Sequence, residues 1–324
     1  MSALVVIPCL NEEAHLPGLL GQLLADNPEA HIVVADGGST DRSRAIVAEL
    51  AAIHPGLSLM DNPARLQSAG VNRAAREHGA GHRWMVRIDA HCDYPAGYVA
   101  GLIEAAERQG ATSVVVPMVT RGTRCFQSGV AAAQNSLLGN GGSAHRNLGQ
   151  GRFVDHGHHA LFDLALFLSV GGYDEGFSHN EDAELDHRLA LAGGRIWLEP
   201  AQAIVYYPRR SAGALMRQYL GYGRGRARNL RRHRMPMVAR QAVPLLVAPM
   251  VAAGIVGLIG ALWQPWALVL ALPLLGWAGL CFAYGAVLAL RQRSACVLCA
   301  GVAAMVMHLG WSWGFLRERL GPAA

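Results

Sequence analysis

A charge-free stretch limits the folds that are open to this chain. From residue 241 to residue 290 the sequence contains no Asp, Glu, Lys or Arg. About 20 consecutive apolar residues suffice for a helix to cross a bilayer, and residues 244–263, 266–290 and 294–316 each satisfy this length. We therefore predict a transmembrane region over residues 241–324 with about three helices. The alternative is a buried helical hairpin of a soluble protein.

The arginines are concentrated just before this apolar region. Residues 209–240 contain ten Arg and no Asp or Glu, whereas residues 1–208 carry more acidic than basic side chains. Positive charge beside a span marks the cytoplasmic side, so residues 1–208 are predicted to be a cytoplasmic domain of a multi-pass inner-membrane protein. Residues 209–240 are interpreted as an amphipathic interface segment attracted to anionic membrane lipids. Three crossings would leave Arg317 and Arg319 outside, so a re-entrant third segment is the alternative.

Short apolar runs alternate with helical patterns over the first hundred residues. The runs are residues 3–8, 31–35, 57–60 and 84–88. Each of the first three is followed by apolar residues at helical spacing, which predicts an α/β fold with a doubly wound parallel sheet. Ligands of such sheets bind beyond the carboxyl ends of the strands. This rule selects the polar residues that follow the runs, namely Asn11, Glu12, Asp36, Asp41, Asp89, His91 and Asp93.

A dense acidic run lies further along the chain, after Gly171-Gly172-Tyr173-Asp174-Glu175. Leu185 and Leu189 are four residues apart, which predicts a helix that begins near Glu181 and packs through one face. Glu181 and Asp182 then lie at its N-terminus, where a catalytic carboxylate can face a cleft. The alternative is an ordinary solvated helix start, because acidic residues interact favourably with the helix dipole there.

Four motifs in this order resemble family 2 glycosyltransferases with the GT-A nucleotide-sugar fold. They are Ile7-Pro8-Cys9-Leu10-Asn11-Glu12, Asp36-Gly37-Gly38-Ser39-Thr40-Asp41, Asp89-Ala90-His91, and the Gly171-Gly172 turn with Asn180-Glu181-Asp182. Within this family the chain is most similar to bacterial exopolysaccharide glycosyltransferases of the succinoglycan type. These share the Asp-Ala-His variant, the segment at residues 154–162 and an apolar tail. The resemblance covers about residues 3–230.

The resemblance implies a nucleotide-sugar donor and a divalent metal. The implied donor-binding residues are Pro8, Asn11, Glu12, Asp36 and Asp89. An Asp at position 36 can accept the uracil N3–H, which favours a UDP-sugar. Asp89 matches the first acid of the family's Asp-x-Asp motif, and His91 replaces the second. Because imidazole suits Mn2+ better than Mg2+, Asp89 and His91 are expected to hold Mn2+ or Mg2+, with Mn2+ favoured.

The remaining roles follow from position in the same motifs. Asp182 is assigned as the base that deprotonates the acceptor hydroxyl, with Glu181 orienting the acceptor or supporting the loop. The acceptor side is expected to include His158 and His159, and phosphate is expected to contact Arg224 and Arg226. Processive relatives carry a Gln-x-x-Arg-Trp motif where this chain keeps Gln218 but has Gly221-Tyr222, which favours the addition of one sugar per encounter.

These expectations define an inverting, metal-dependent hexosyltransferase. It is expected to move a hexose from a UDP-sugar to a polyprenyl-diphosphate-linked saccharide in exopolysaccharide or cell-surface glycan synthesis. The alternatives are transfer to a membrane lipid in glycolipid synthesis and, from another class, a non-catalytic membrane scaffold. Nucleic-acid binding is not expected, because the arginines adjoin a span and form no recognisable module. The six scattered Cys are typical of a reducing compartment.

Overall fold

The computed structural model describes residues 3–141, 149–237 and 239–321. The side chains of His159, Ala239 and Arg240 lie outside this description. The described residues form two compact units. The sheet unit comprises residues 3–119 and 149–206, and the helical unit comprises residues 120–141, 207–237 and 239–321.

The sheet unit contains nearly all of the described strands. They are β1 (Ala3–Cys9), β2 (His31–Asp36), β3 (Leu57–Asp61), β4 (Trp84–Arg87), β5 (Cys92–Asp93), β6 (Ser113–Val116), β7 (Met118–Thr120), β8 (Arg152–Phe153), β9 (His158–Asp163), β10 (Ile196–Leu198) and β11 (Ile204–Tyr206). Eight of them form one sheet in the order β3-β2-β1-β4-β9-β6-β10-β8, and β5-β11-β7 form a smaller one.

The larger sheet is mixed rather than wholly parallel. Strands β1 to β4 are parallel to their neighbours among them, as the alternation of strands and helices predicts. Strand β9 instead runs antiparallel between β4 and β6. An apolar run reports that a strand is buried and does not report its direction, so this reversal could not be read from the sequence. The α/β prediction itself is confirmed.

The helices lie between and after these strands. They are α1 (Leu16–Asp26), α2 (Ser43–Ala51), α3 (Gln67–His78), α4 (Tyr98–Gln109), α5 (Cys125–Gln134), α6 (Leu137–Asn140), α7 (Leu164–Ser169), α8 (Glu181–Leu191), α9 (Ala212–Arg232), α10 (Ala239–Leu245), α11 (Val247–Gly260), α12 (Leu272–Gln292) and α13 (Cys299–Leu320). Helix α8 begins at the predicted residue, and its Leu185 and Leu189 are buried.

The central strand β1 explains why the sheet unit has two apolar layers. Val5 and Ile7 pack into a cluster with α1 and α4, whereas Leu4 and Val6 pack into a second cluster with α3 and α8. A strand that is covered on both faces needs a continuous apolar run. Each fully buried side chain of this size contributes roughly 1.5–3 kcal/mol. This packing fixes the positions of the loops at the ends of the strands.

The helical unit contains the predicted apolar helices. Three segments are long and apolar enough to cross a membrane: Gln241–Gly260, Pro265–Gln292 and Ala295–Leu320. Contrary to the expectation of unpaired cysteines, Cys125 at the start of α5 is bonded to Cys296, which is 171 residues away in sequence. Such a pairing depends on how α5 packs, so spacing alone could not reveal it.

Candidate active site

The loops that follow β1 and β2 are hydrogen-bonded to each other. Asn11 N–H donates to Ser39 Oγ at 2.8 Å, and Asn11 Oδ1 accepts from Thr40 N–H at 2.8 Å. Glu12 N–H donates to Ser43 Oγ at 2.8 Å. Asn11 has a left-handed backbone with φ of 57°, and such conformations cluster at functional sites. The first two motifs therefore form one continuous surface, which Pro8 at the end of β1 adjoins.

Asp36 is buried at the end of β2, and its carboxylate has partners. Its Oδ2 accepts from Gly38 N–H at 3.0 Å and from Arg44 Nη1 at 2.7 Å. Burial opposes ionisation of Asp36, but hydrogen bonds from Ser39 and Arg44 hold its pKa below the ordinary value. Gly38 has φ of +88°, a conformation that glycine adopts most readily. Asp36 was expected to bind the donor. Its hydrogen bonds show that it also holds the conformation of the loop that follows β2.

Glu12 lies between two histidines. Its Oε1 is 2.9 Å from His91 Nδ1, and its Oε2 is 2.9 Å from His15 Nδ1. Burial would raise the pKa of Glu12, but the hydrogen bonds with His91 and His15 bring it below the ordinary value. Because the Glu12 carboxylate holds Nδ1, a metal ion would bind His91 through Nε2. Carboxylate-bound histidines of this kind are common at metal sites.

A buried arginine joins the third motif to the fourth. Arg87 Nη1 donates to Asp182 Oδ1 at 2.7 Å across 95 residues of sequence, and Arg87 Nε lies 3.7 Å from Asp89 Oδ1. The Arg87 side chain is only 2% exposed. Burial disfavours the charged form of Arg87, but Asp182 outweighs this effect and raises its pKa. The two carboxylates that the sequence assigned to metal binding and to catalysis therefore share one guanidinium.

Tyr173 and Gln67 complete the surroundings of these carboxylates. The Tyr173 hydroxyl lies 2.9 Å from Asp182 Oδ1 and 2.7 Å from Arg87 Nη1. Gln67 Nε2 donates to Asp89 Oδ1 at 2.9 Å. Burial opposes ionisation of Asp89, but Arg87 and then His158 hold its pKa below the ordinary value. Asp89 is therefore charged at neutral pH.

The Gly171-Gly172 turn has a structural explanation through Tyr173. Asn72 on α3 accepts from Tyr173 N–H at 2.8 Å and donates to the Tyr173 carbonyl at 2.8 Å. A Cβ on Gly172 would collide with the Asn72 side chain, so this turn needs glycine. The motif places the Tyr173 hydroxyl against Asp182.

His158 lies closer to the reacting groups than the sequence suggested. Its Nε2 is 3.5 Å from Asp89 Oδ2, and its Nδ1 is 3.9 Å from Asp182 Oδ2. The neighbouring His156 Nδ1 is 2.8 Å from Asp186 Oδ2 on α8. His158 thus bridges the two carboxylates. The His159 side chain, expected on the acceptor side, lies outside the described residues.

Glu181 has surroundings that differ sharply from those of Asp182. Burial raises the pKa of Glu181 to about 7, and the neighbouring Asp182 carboxylate adds to the shift while Arg87 opposes it. The preceding Asn180 has a left-handed backbone with φ of 67°. Adjacent carboxylates with separate environments are typical of sites in which each has its own role.

Sequence reasoning missed Arg87, Tyr173 and Gln67. A signal existed for Arg87, because a charged residue interrupts the apolar run at residues 84–88. The predicted phosphate contacts belong to the helical unit, where Arg224 Nε is 3.6 Å from Glu318 Oε2. The side-chain oxygen of Gln241 faces Arg226 and accepts a hydrogen bond from Arg226 Nε at 2.9 Å.

Comparisons with known proteins identify the family. The sequence profile of Glycosyl transferase family 2 matches residues 4–170. The chain is 50% identical over 321 residues to the succinoglycan biosynthesis protein ExoA of Rhizobium meliloti (strain 1021), covering 98% of this chain and 95% of that protein. Polyprenol monophosphomannose synthase of Mycolicibacterium smegmatis is 29% identical over 107 residues, 32% of this chain and 40% of that protein.

A solved structure supports the fold independently. The mannosyltransferase PcManGT from Pyrobaculum calidifontis, solved with GDP-Man and Mn2+, superposes with a TM-score of 0.56 at 21% identity. The match covers 95% of this chain and 86% of that one. The GT-A fold expected from the motifs is therefore confirmed. The profile match and the 50% identity to the succinoglycan biosynthesis protein show that the chain belongs to glycosyltransferase family 2.

Proposed function

We propose that the protein is an inverting, metal-dependent hexosyltransferase that uses a UDP-sugar and a polyprenyl-diphosphate-linked saccharide. The observation that carries this proposal is the meeting of Asp89 and Asp182 at the Arg87 guanidinium. Asp89 belongs to the donor motif and Asp182 to the acceptor motif. Their proximity supports the attack of an acceptor hydroxyl on a sugar whose diphosphate is held at Asp89. It also argues against a non-catalytic scaffold, which has no need of these groups together.

Asp182 is assigned as the base through one of its two oxygens. Oδ1 is held by Arg87 and Tyr173 at 2.7 and 2.9 Å, whereas Oδ2 lies 3.4 Å from Arg87 Nη2. Oδ2 is therefore the less tightly held oxygen and is assigned to take the proton. The acceptor oxygen then bonds to the anomeric carbon, the bond from that carbon to the diphosphate breaks, and the nucleoside diphosphate leaves. A divalent cation, when bound, offsets the negative charge that develops on the leaving diphosphate. One carboxylate is enough for this reaction, unlike glycoside hydrolysis.

Glu181 is assigned to orient the acceptor, and its pKa of about 7 gives a test. We expect transfer to fall as the pH drops through about 7, because protonated Glu181 no longer accepts a hydrogen bond from the acceptor hydroxyl. Glu181→Gln should lose this limb of the pH–rate profile, whereas Glu184→Gln on the same helix should keep it. A limb near pH 7 that persists in Glu181→Gln would contradict the assignment.

The same shift predicts a change in stability. A carboxyl whose folded pKa lies above its unfolded value destabilises the folded state once it ionises. Glu181→Gln should therefore melt at a higher temperature than the wild type at pH 8. The difference should shrink as the pH falls through about 7 towards the ordinary range of Glu. Thermal unfolding in detergent at several pH values measures it.

Asp89 and His91 are proposed to hold the metal. Asp89 would supply an anionic oxygen, and His91 would coordinate through Nε2, because Glu12 engages its Nδ1. Among the described residues no group of three or more His, Cys, Asp or Glu could hold a metal ion, so the remaining ligands would come from the donor diphosphate and water. This donor set suits a cation that accepts both nitrogen and oxygen.

The metal preference is testable by exchange of His91. We expect Mn2+ to support faster turnover than Mg2+ in the wild type. His91→Asp should shift the preference towards Mg2+, which favours oxygen ligands. Turnover and Mn2+ affinity, followed by electron paramagnetic resonance, measure the effect. His15→Asp is the matched control, since His15 is bonded to the same Glu12 carboxylate. A wild type that prefers Mg2+ would rule His91 out as a ligand.

The substrates are to be identified with a panel of nucleotide sugars. Purified protein with Mn2+ is assayed for transfer into membrane lipid extracts, with Asp182→Asn as the control. The panel includes GDP-mannose, because PcManGT was solved with GDP-Man. The names of two relatives contain dolichyl phosphate or polyprenol, which supports a polyprenyl acceptor. Mild acid separates polyprenyl diphosphate products, which hydrolyse readily, from an acid-stable glycolipid.

The membrane placement is proposed from the charge pattern. Residues 1–208 would form a cytoplasmic catalytic domain at the inner membrane, and residues 209–240 an interface segment. Arg224 and Arg226 are proposed to contact phosphate of the donor or of the lipid-linked acceptor. Residues 241–324 supply the apolar segments.

A further inference from the structure

We propose that α13 is an interfacial helix whose two ends lie on the same side of the membrane as α9, although its composition is that of a span. The inference rests on the membrane placement proposed above, and it concerns the helical unit alone. A crossing helix of 22 residues would place its ends about 33 Å apart in depth. The contacts at the two ends of α13 decide between these arrangements.

The beginning of α13 is bonded to α5. Cys296, just before α13, is joined to Cys125 of α5. A Cβ on Gly129 of α5 would lie 2.6 Å from the Cys299 Cβ, so these helices are in direct contact. Gln127 of α5 donates to the Pro208 carbonyl at 2.7 Å, which ties α5 to the segment that leads into α9. The start of α13 is therefore at the level where α9 begins.

The end of α13 is paired with the arginines of α9. Glu318 accepts from Arg228 Nε at 3.3 Å and from Arg231 Nη2 at 3.1 Å, and Arg224 Nε is 3.6 Å away. Glu318 is only 10% exposed. A helix with this row of arginines cannot enter the hydrocarbon core, because charged groups there are strongly disfavoured. Residue 318 therefore lies at the same membrane depth as α9.

The middle of α13 follows α9 without a break. Met216 contacts Gly310, and a side chain at Gly314 would collide with the Leu220 carbonyl. The contacts advance along both helices together, so α9 and α13 run in the same direction. Small residues permit this close approach. No part of α13 from residue 310 to residue 318 leaves α9 to enter a bilayer.

The entrance of the first apolar segment gives the same result. Ser312 Oγ donates to the Leu245 carbonyl at 2.8 Å and accepts from Ala248 N–H at 3.0 Å. Residue 312 lies about two-thirds of the way along the third segment, so three consecutive crossings would place it beyond the membrane midplane, away from the entrance of the first segment. Residues 245 and 248 are near that entrance, 13 and 16 positions after α9 ends. The observed hydrogen bonds join two depths that three crossings would separate.

Burial explains why α13 is apolar without crossing. Protein covers 44% of its most apolar window, compared with 22% and 17% for the other two segments. Its exposed large apolar side chains, among the described residues, are Val302, Trp313 and Leu320. The hairpin of α11 and α12 exposes many more, including Ile255, Ile259, Leu272, Leu280 and Phe282. The bilayer is thus the partner of the exposed side chains of that hairpin, whereas α13 is covered by α9, α5 and one face of α12.

Charge placement agrees with this arrangement. With α13 on the α9 side, Arg291, Arg293, Arg317 and Arg319 all lie with the arginines of residues 209–240. The turn at residues 261–264 between the first two segments has no charged residue. The positive-inside rule is then satisfied throughout, whereas three crossings would place Arg317 and Arg319 on the opposite side.

Cysteine labelling of the full-length protein tests this topology. Gln292→Cys and Leu320→Cys flank α13 at exposed positions, and Arg210→Cys before α9 is the reference. A membrane-impermeant maleimide is applied to spheroplasts and to inverted vesicles, with the wild type as background. We expect all three variants to label in inverted vesicles and to be protected in spheroplasts. The readout does not depend on catalysis.

Each contrary result has a distinct meaning. Leu320→Cys labelled only from the side opposite to Arg210→Cys would establish three crossings and overturn the proposal. Gln292→Cys labelled from that opposite side would establish that α12 and α13 cross as a pair, which also overturns it. Release of the protein by an alkaline carbonate wash would remove the membrane placement on which the proposal rests. Failure of sugar transfer leaves the topology result unchanged.

Discussion

Asp182→Asn is expected to abolish sugar transfer while donor binding persists. The Asn amide is too weak a base to take the proton of the acceptor hydroxyl. A positioned base contributes about 10²–10⁴-fold to the rate of such reactions. Donor affinity should change little, because Arg87 and His158 lie between Asp182 and Asp89 of the donor motif. Titration of UDP with Mn2+ by calorimetry, alongside single-turnover transfer, separates the two effects.

The matched control is Glu184→Gln on the same helix. Glu184 is also a buried carboxylate paired with an arginine, Arg188, but that pair faces the Val170 carbonyl rather than the site. Its loss should lower the melting temperature and leave transfer per folded molecule intact. Turnover near the wild-type value in Asp182→Asn would refute the assignment of the base. Loss of activity in Glu184→Gln at full folding would indicate that helix α8 as a whole is sensitive.

Arg87→Met is expected to cost both stability and activity. It removes the cation shared by Asp182 and Asp89, and the loss of one partner of a buried ion pair typically costs about 3–5 kcal/mol. Without Arg87 the Asp182 carboxylate also loses the donor that fixes Oδ1. Arg87→Lys keeps the charge but cannot reproduce the forked geometry, so it should recover stability more than turnover.

The pH dependence of this effect has a definite sign. Arg87 holds the pKa of Asp89 below its ordinary value, so it stabilises the fold while Asp89 is ionised and loses this effect as the pH falls through the depressed pKa. The stability difference between wild type and Arg87→Met should therefore be largest near neutral pH and smaller in acid. Thermal unfolding between about pH 2 and pH 7, a range that extends below the ordinary Asp pKa of about 3.9, measures this trend.

Two further variants separate a positioning role from a general loss of stability. Arg83→Met changes an exposed arginine before the same strand, 3.8 Å from Glu107, and should cost less than about 1 kcal/mol. The double variant Arg87→Met/Asp182→Asn removes both charges of the pair and should be more stable than Arg87→Met alone. An Arg87→Met protein with wild-type turnover would show that Arg87 does not position Asp182.

The sequence was sufficient for the parts of the site that depend on local pattern. The run at residues 3–8 became β1 because it is buried on both faces, and the helix expected near residue 181 begins at Glu181. Polar residues after strand ends correctly indicated Glu12, Asp36 and Asp89 as neighbours of one edge. Family motifs then gave the fold, which the comparisons confirm.

The pairing of groups within the site was not available from the sequence. Asp182 was assigned as the base from its position alone, and the structure shows that Arg87 and Tyr173 hold one of its oxygens. His158 was expected on the acceptor side, but it lies between Asp89 and Asp182. Tyr173 and Asp182 are nine residues apart, but Arg87 is 95 residues from Asp182. Their contact depends on the order and direction of strands, including the antiparallel β9.

The apolar tail shows the same division. Composition by itself established that residues 241–320 bury apolar surface, and three segments are long enough to span a membrane. Hydropathy reports that a side chain leaves water and does not report whether protein or lipid replaces it. Only the tertiary structure shows α13 covered by α5 and α9, because burial against protein requires partners that hydropathy does not name. The sequence pattern thus determined which side chains of each segment leave water. Tertiary packing decided whether protein or lipid covers them.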